Sequence, residues 1–385
     1  MSGTGERAPV VVIGAGCIGA SVAYHLGRLG VRGVTVLERE PFAGAGSTSK
    51  AAGGIRAQFS TPISVRISQL SIEHFQRFAE DMGTEPVFFP VGYLFLLADP
   101  ARWQGFQAQA EMQRSLGLPV RTLSPEQARE VVPELYVDDL LGATFCPTDG
   151  LGNPHEVTQA YVARARDLGA RFEFDRAATG LTMDGDRVTG VQTQHGVLET
   201  PWVVNAAGPF AAEVAGWAGV ELPVVPLRRH CFTTEPLPFV HERMPMIVDM
   251  KSGVYMHRES GGMLLGLADP NQPPGFDVSV DWDFLPTVVE HAIHRLPALE
   301  AAEVSNGWAG LYETTPDHNA VIGPPAGRQG LMLVNGFSGH GFMQAPGAGQ
   351  LVAEWIVTGR PSIDLAALRL ERFSEQGSMV ESNVI

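Results

Sequence analysis

Val10-Val11-Val12-Ile13-Gly14-Ala15-Gly16-Cys17-Ile18-Gly19 is the stretch whose reading decides the fold. An apolar run of strand type meets a glycine turn, and apolar residues at helical spacing follow at Val22, Ala23, Leu26 and Leu29. Residues 30–33 make a second turn, and Val34-Thr35-Val36-Leu37 then ends in an acid, Glu38. Strand, glycine turn, helix, strand and acid is the order of a dinucleotide-binding βαβ unit. Gly14 permits the tight turn, Gly16 lets the backbone approach a pyrophosphate, and Gly19 lets helix and strand pack closely. The helix start directs free N–H groups at phosphate. Glu38 suits the hydroxyls of an unphosphorylated ribose, which leaves both NAD and FAD open.

Composition bounds the rest. The 385 residues suffice for about two domains. A hydrophobic fraction of 44% with 18% charged residues is that of a globular chain. A net charge of -15 argues against a nucleic-acid partner. Cys17, Cys146 and Cys231 are far apart and the histidines lack ligand spacing, so neither a metal site nor a disulfide framework is expected. Residues 1–9 are polar without a signal-peptide core. No apolar run approaches the ~20 residues that span a bilayer. The expectation is a cytoplasmic protein with no membrane span.

Beyond Glu38, Gly44-Ala45-Gly46-Ser47-Thr48-Ser49-Lys50-Ala51-Ala52-Gly53-Gly54 is built of small residues. Such a run suits a linker. It follows the strand carrying the ribose acid, however, where small residues let backbone and hydroxyls approach a cofactor. Arg56 comes next, and its planar fork matches a carboxylate. It is either a clamp for a substrate carboxylate or a structural partner of some neighbouring acid.

The pattern then predicts helices over residues 62–80, 103–116, 124–132 and 157–168, a strand over 88–97, and a β-meander broken at Gly185, Gly190 and Gly196. A further strand ends in Asn205-Ala206-Ala207-Gly208, a second close approach to the nucleotide. Residues 221–310 read as a β-rich unit. It has strands over 224–234 and 304–311, a helix over 286–296, and a hairpin turning at Ser260-Gly261-Gly262. Tyr255 and His257 share one strand face, which is either a pocket wall or the solvent side of the sheet.

A strand over residues 331–335 then leads into Gly336-Phe337-Ser338-Gly339-His340-Gly341-Phe342 and a long helix. A second glycine turn and helix start suit a dinucleotide whose ring lies far from its adenine. The positive helix end stabilises an anionic reduced flavin. The reading is FAD.

With these residues in view, the chain resembles flavoproteins of the D-amino-acid oxidase and sarcosine oxidase superfamily. The likeness rests on the first turn through Glu38-Arg39, on Ser47 to Arg56, on Asn205 to Gly208, and on Thr315-Pro316-Asp317 through Gly341. Gly53 to Ser60 and Gly339 to Gly347 most resemble the mitochondrial FAD-dependent oxidoreductase domain-containing protein and its bacterial relatives. The resemblance implies an α/β fold, with a Rossmann-like FAD-binding domain and an antiparallel β-sheet substrate domain. The expected division assigns residues 1–84, 142–220 and 311–385 to the first and 85–141 and 221–310 to the second. Cofactor contacts are expected at Gly14, Gly16, Ile18, Gly19, Glu38 and Arg39, and in the early loop at Ser47, Thr48, Lys50, Ala51 and Ala52. Ala178, Ala207, Gly208 and Gly310 are expected to join them, as are Gly336, Ser338, Gly339, His340, Gly341, Phe342 and Met343.

The resemblance also implies oxidation of the C–N bond of an amino acid or a secondary or N-methyl amine by hydride transfer to flavin N5. The imine then hydrolyses. The acceptor would be O2 or another electron carrier, and oligomeric state is left open. Arg56 is expected at the substrate carboxylate, Tyr255 and His257 on the pocket wall, and His340 near the flavin ring. Gly310 stands where the family has a flavin-linking cysteine, and Ser49-Lys50-Ala51 where relatives link through histidine, so FAD is expected to be non-covalent. Met343 replaces a substrate-binding lysine, while Met263 and Leu264 lie where an oxygen-activating lysine falls. These losses keep open a second reading, a flavin-stabilised assembly protein or the flavin subunit of a larger dehydrogenase.

Overall fold

The computed structural model describes residues 6–375 and 379–384; residues 1–5 of the polar lead lie outside them. Val11–Ile13 and Thr35–Leu37 pair in parallel, with the helix Cys17–Arg28 between them in sequence. Arg171–Glu173 extends this sheet on one side, and Val203–Asn205, Leu331–Asn335 and Val321–Gly323 extend it on the other. Every pairing is parallel except that of the edge strand Val321–Gly323. A parallel sheet needs both faces covered. Val10, Val12, Val36 and Val204 pack among the helices. Val11, Ile13, Leu37 and Val203 face the other way, toward Leu181, Val188, Val191 and Leu198. Those four belong to the β-meander Ala178–Asp184, Arg187–Thr193 and Gly196–Glu199, to which Glu6–Arg7 adds a fourth strand.

Parallel order puts the ends of Val11–Ile13, Val203–Asn205 and Leu331–Asn335 on one edge of the sheet. The three turns read as nucleotide approaches therefore line up along it. The helices behind two of them, Cys17–Arg28 and Gly341–Thr358, pack directly on each other: a Cβ on Gly349 would lie 2.2 Å from Ser21 Oγ.

The second sheet has eight strands, in the order Val304–Thr314, Val225–Thr234, Gly262–Leu267, Tyr255–Glu259, Met246–Asp249, Tyr93–Leu97, Gly142–Cys146, Arg121–Leu123. It is antiparallel except between Met246–Asp249 and Tyr93–Leu97. Its outer face buries Phe232, Met256 and Leu265 against Ala128, Val288 and Ala292 of the helices Pro125–Val131 and Leu285–Arg295. Ser124 and Gln127 close a capping box at the first of these helices.

The single strand expected over 88–97 is two strands. Phe88–Phe89 joins Gly150–Gly152 in a three-stranded sheet, while Tyr93–Leu97 belongs to the eight-stranded one. Pro90 and Gly92 (φ +92°) turn the chain between them. We propose the discontinuous division expected above with one seam moved. Gly142–Cys146 pairs with Tyr93–Leu97 and so belongs with the second unit.

Candidate active site

A cavity of about 560 Å³ lies between the turn edge of the parallel sheet and the inner face of the eight-stranded sheet. At the first turn Gly14 takes φ +104°, and a Cβ there would stand 2.4 Å from Ala206 O. Gly19 does not line the cavity. A Cβ on it would lie 1.9 Å from Gly14 O, so its role is the close contact of helix and turn. Glu38 Oε2 accepts from Ala15 N at 2.8 Å and Oε1 from Glu40 N at 3.0 Å. The carboxylate is thereby fixed on the cavity wall with lone pairs to spare for ribose hydroxyls. Arg39 stands 3.8 Å over the Phe210 ring, which stacks on Phe276 at 4.6 Å.

The small-residue loop is tied down, and the linker reading falls. Ser47 Oγ donates to Leu311 O at 2.7 Å, and Trp308 Nε1 donates to Lys50 O at 3.0 Å. Thr48 Oγ1 accepts from Cys17 N at 3.1 Å, capping a helix whose N-cap, Gly16, has no side chain to do so. Gly16, Ile18, Ser47, Thr48, Lys50, Ala51 and Ala52 all line the cavity, as do Ala178, Ala207, Gly208 and Gly310.

At the second turn Gly336 (φ +73°) packs on Thr315 and is not on the cavity wall, whereas Ser338, Gly339, His340, Gly341, Phe342 and Met343 are. His340 is buried. Its Nε2 lies 3.1 Å from Arg56 Nη2 and accepts from it, because a guanidinium only donates. Burial first, and Arg56 second, hold the imidazole well below its ordinary range, so it is neutral. Arg56 is 1% exposed. Its Nη1 donates to Gln58 O, its Nη2 also donates to Asn383 O, and its guanidinium lies 4.0 Å over the Phe59 ring. None of these partners is an acid, so among the described residues the structural ion pair weighed for Arg56 is not formed. Asn383 comes from the carboxyl-terminal tail. Beside it the buried Glu381 accepts from the backbone N–H groups of Ser60, Thr61 and Asn383.

The inner sheet face completes the site with residues that sequence reading passed over. Tyr93, Tyr312, Arg229, Cys231 and Met246 join Tyr255 on the cavity wall. Tyr255 OH lies 3.4 Å from Cys231 Sγ, and burial pushes the Tyr255 and Tyr312 phenols up. The alternation of Val225–Thr234 puts Arg229 and Cys231 on one face and His230 on the other. That much was visible in the sequence; which face would be covered was not. Glu313 was missed as well. It is a half-buried wall residue pushed up to about 7 by burial of its carboxyl, against which the Gly336 and Phe337 amides work.

His257 is a correction. It shares Tyr255's buried face, so the solvent-face reading fails, but the cavity wall stops at Tyr255. Its Nδ1 hydrogen-bonds Arg258 O at 2.7 Å, and burial holds it neutral.

These residues fit FAD: a steric cradle at Gly14, an acid at the ribose position, and two helix starts facing one cavity. The family profile described as FAD dependent oxidoreductase (DAO) matches residues 9–355. Mitochondrial sarcosine dehydrogenase of Mus musculus is 32% identical over 96% of this chain, which spans only 42% of that protein's length. FAD-dependent oxidoreductase domain-containing protein 1 of Xenopus laevis is 30% identical, with 99% of this chain and 85% of that protein covered. Among solved structures, L-proline dehydrogenase from P. horikoshii matches with a TM-score of 0.90 at 32% identity, covering 96% of this chain and 98% of that one.

Proposed function

The chain belongs to the FAD dependent oxidoreductase (DAO) family, with FAD as its cofactor, and on that premise we propose that it oxidises the C–N bond of an amino acid whose amine is secondary or N-methylated. Sarcosine and proline, named for two of the similar proteins, are both secondary amino acids. The observation that carries the reading is the chemistry of the chamber walls. Two guanidiniums, Arg56 and Arg229, and three phenols, Tyr93, Tyr255 and Tyr312, face a cavity in which the nearest histidine is neutral and already hydrogen-bonded.

Positive charge attracts a carboxylate and disfavours an ammonium. The substrate amine is therefore held neutral, with no side-chain base needed to make it so. Bound FAD supplies a hydride acceptor at N5. The protein's contribution is to orient the substrate Cα–H and to exclude water from the reacting face. We propose non-covalent attachment. Gly310, where the family's linking cysteine would fall, presses on Lys50, a Cβ there lying 2.5 Å from Lys50 Cβ. The wall thiols Cys17 and Cys231 are pushed up to about 11 by burial, the wrong direction for a reactive thiolate.

The test is anaerobic. Secondary and N-methyl amino acids, proline, glycine and simple amines are mixed with the purified flavoprotein while its visible absorption is followed. Bleaching by a secondary amino acid is expected, and admission of air then separates oxidase from dehydrogenase. Bleaching by dithionite but by no member of the panel would overturn the reading. Flavin that remained with acid-precipitated protein would overturn non-covalent attachment.

A further inference from the structure

We propose that Arg229, rather than Arg56, grips the substrate carboxylate, and that Arg56 is a positioning residue for His340 and the carboxyl-terminal tail. The proposal rests on the amine-oxidation reading above and names the group that selects its substrate.

Both arginines line one chamber, and the Tyr312 phenol feels the charge of both. What separates them is how their donors are spent. A carboxylate is gripped side by side, by Nη1 with Nη2 or by Nε with Nη2. Each grip needs an N–H of Nη2. On Arg56, Nη2 already serves His340 and the Asn383 carbonyl, which accounts for both of its protons. No paired face of Arg56 is free.

Arg229 is the reverse case. It donates once, from Nη1 to Arg228 O at 3.0 Å. Its Nε is buried with no partner among the described residues, a costly state for a donor. Nη2, the nitrogen that either grip needs, donates to no described residue. Arg228, the next residue, faces elsewhere and takes Asp277 at 2.6 Å, so the nearby acid is used there. In strand register Arg229 stands opposite Gly310, which has no side chain to cover it. Its guanidinium is held 5.2 Å from the centroid of the Tyr312 ring. The Tyr312 ring in turn abuts Gly339 of the second turn, where a Cβ would lie 2.3 Å away. A carboxylate on Arg229 is therefore seated beside the Tyr255–Tyr312 phenol pair and above the flavin-side turn.

The experiment uses the FAD-loaded protein and its Arg229→Gln, Arg229→Lys and Arg56→Gln variants. Binding of acetate and benzoate is read from perturbation of the flavin's visible spectrum. Turnover is read as the kcat/KM ratio of N-methylglycine to dimethylamine. Arg229→Gln is expected to weaken carboxylate binding at least tenfold and collapse the ratio, with Arg229→Lys between it and the wild type. Arg56→Gln is expected to lower FAD retention and the unfolding temperature while leaving the ratio near the wild-type value. Three results would overturn the proposal: a wild type that binds neither acid, an Arg229→Gln variant with unchanged carboxylate affinity, or an Arg56→Gln variant that keeps its flavin and stability but loses the acids. If Arg229 binds the acids but no amine bleaches the flavin, the anchor stands and the amine-oxidation reading falls.

Discussion

The two ends of the cavity are built from different distances along the chain. At the dinucleotide end Gly14, Gly16, Gly19 and Glu38 lie within one βαβ unit, and apart from Gly14's approach to Ala206 their contacts are within that unit or with the loop that follows. At the substrate end Arg56 meets His340 and Asn383, Tyr255 meets Cys231, and Arg229 lies over Tyr312 of the neighbouring strand. The first end is a local device that any context must reproduce. The second exists only after distant segments have packed, so its chemistry is free to change while the first is kept.

That contrast is open to attack, first where the effect should be largest. Gly19→Ala puts a Cβ within 1.9 Å of Gly14 O. It should cost about 3 kcal/mol or more and yield FAD-free protein, seen as lost visible absorption and a lower urea midpoint. A yellow, stable Gly19→Ala protein would break the claim that the local turn is rigid.

Glu381→Gln tests the long-range end. Its acid accepts from Ser60, Thr61 and Asn383, and an amide would aim its NH2 group at one or more of those donors. A loss of about 2 kcal/mol is expected, together with weaker FAD retention because the tail also holds Arg56. A stability loss with no change at the flavin would separate the tail from the site.

Glu313 sharpens the comparison through pH. Its native carboxyl is pushed up to about 7 from an ordinary 4.5, so between those values the native state keeps a proton that the unfolded state releases. Stability from this group is complete below pH 4.5 and is lost as pH rises through 7, with a slope of about 1.4 kcal/mol per pH unit inside the window. Asp149, pushed up to about 6, has the same sign. The buried histidines His25, His257 and His340, held low, have the opposite sign and cost stability below their ordinary range. The measurement is therefore the difference between wild type and Glu313→Gln in chemical unfolding from pH 4.5 to 8. A flat difference would show that Glu313 is ionised in the folded protein.

The smallest effect is expected at Thr48→Val, which removes the cap on Cys17 N. It should cost about 1 kcal/mol and weaken FAD binding several-fold in titration of the apoprotein. A larger loss would mean that the early loop holds the cofactor more than the turn does.

Between them, these residues show where reading a sequence stops. The first turn, its acid, the second glycine turn and the choice of FAD were all legible, because glycine at a tight turn and acid at a strand end are local requirements that recur in any chain performing that task. Strand alternation correctly paired Tyr255 with His257 and could pair Arg229 with Cys231. It carries no information on where a cavity ends, so it placed His257 on the wall and left Arg229 unassigned. The tail was silent, since Glu381 and Asn383 are ordinary polar residues until folding brings them against Ser60 and Arg56. Residue type and spacing determined which cofactor the chain holds. Which arginine is free to hold a substrate was decided by tertiary packing, because a guanidinium's availability depends on donors already spent on partners hundreds of residues away.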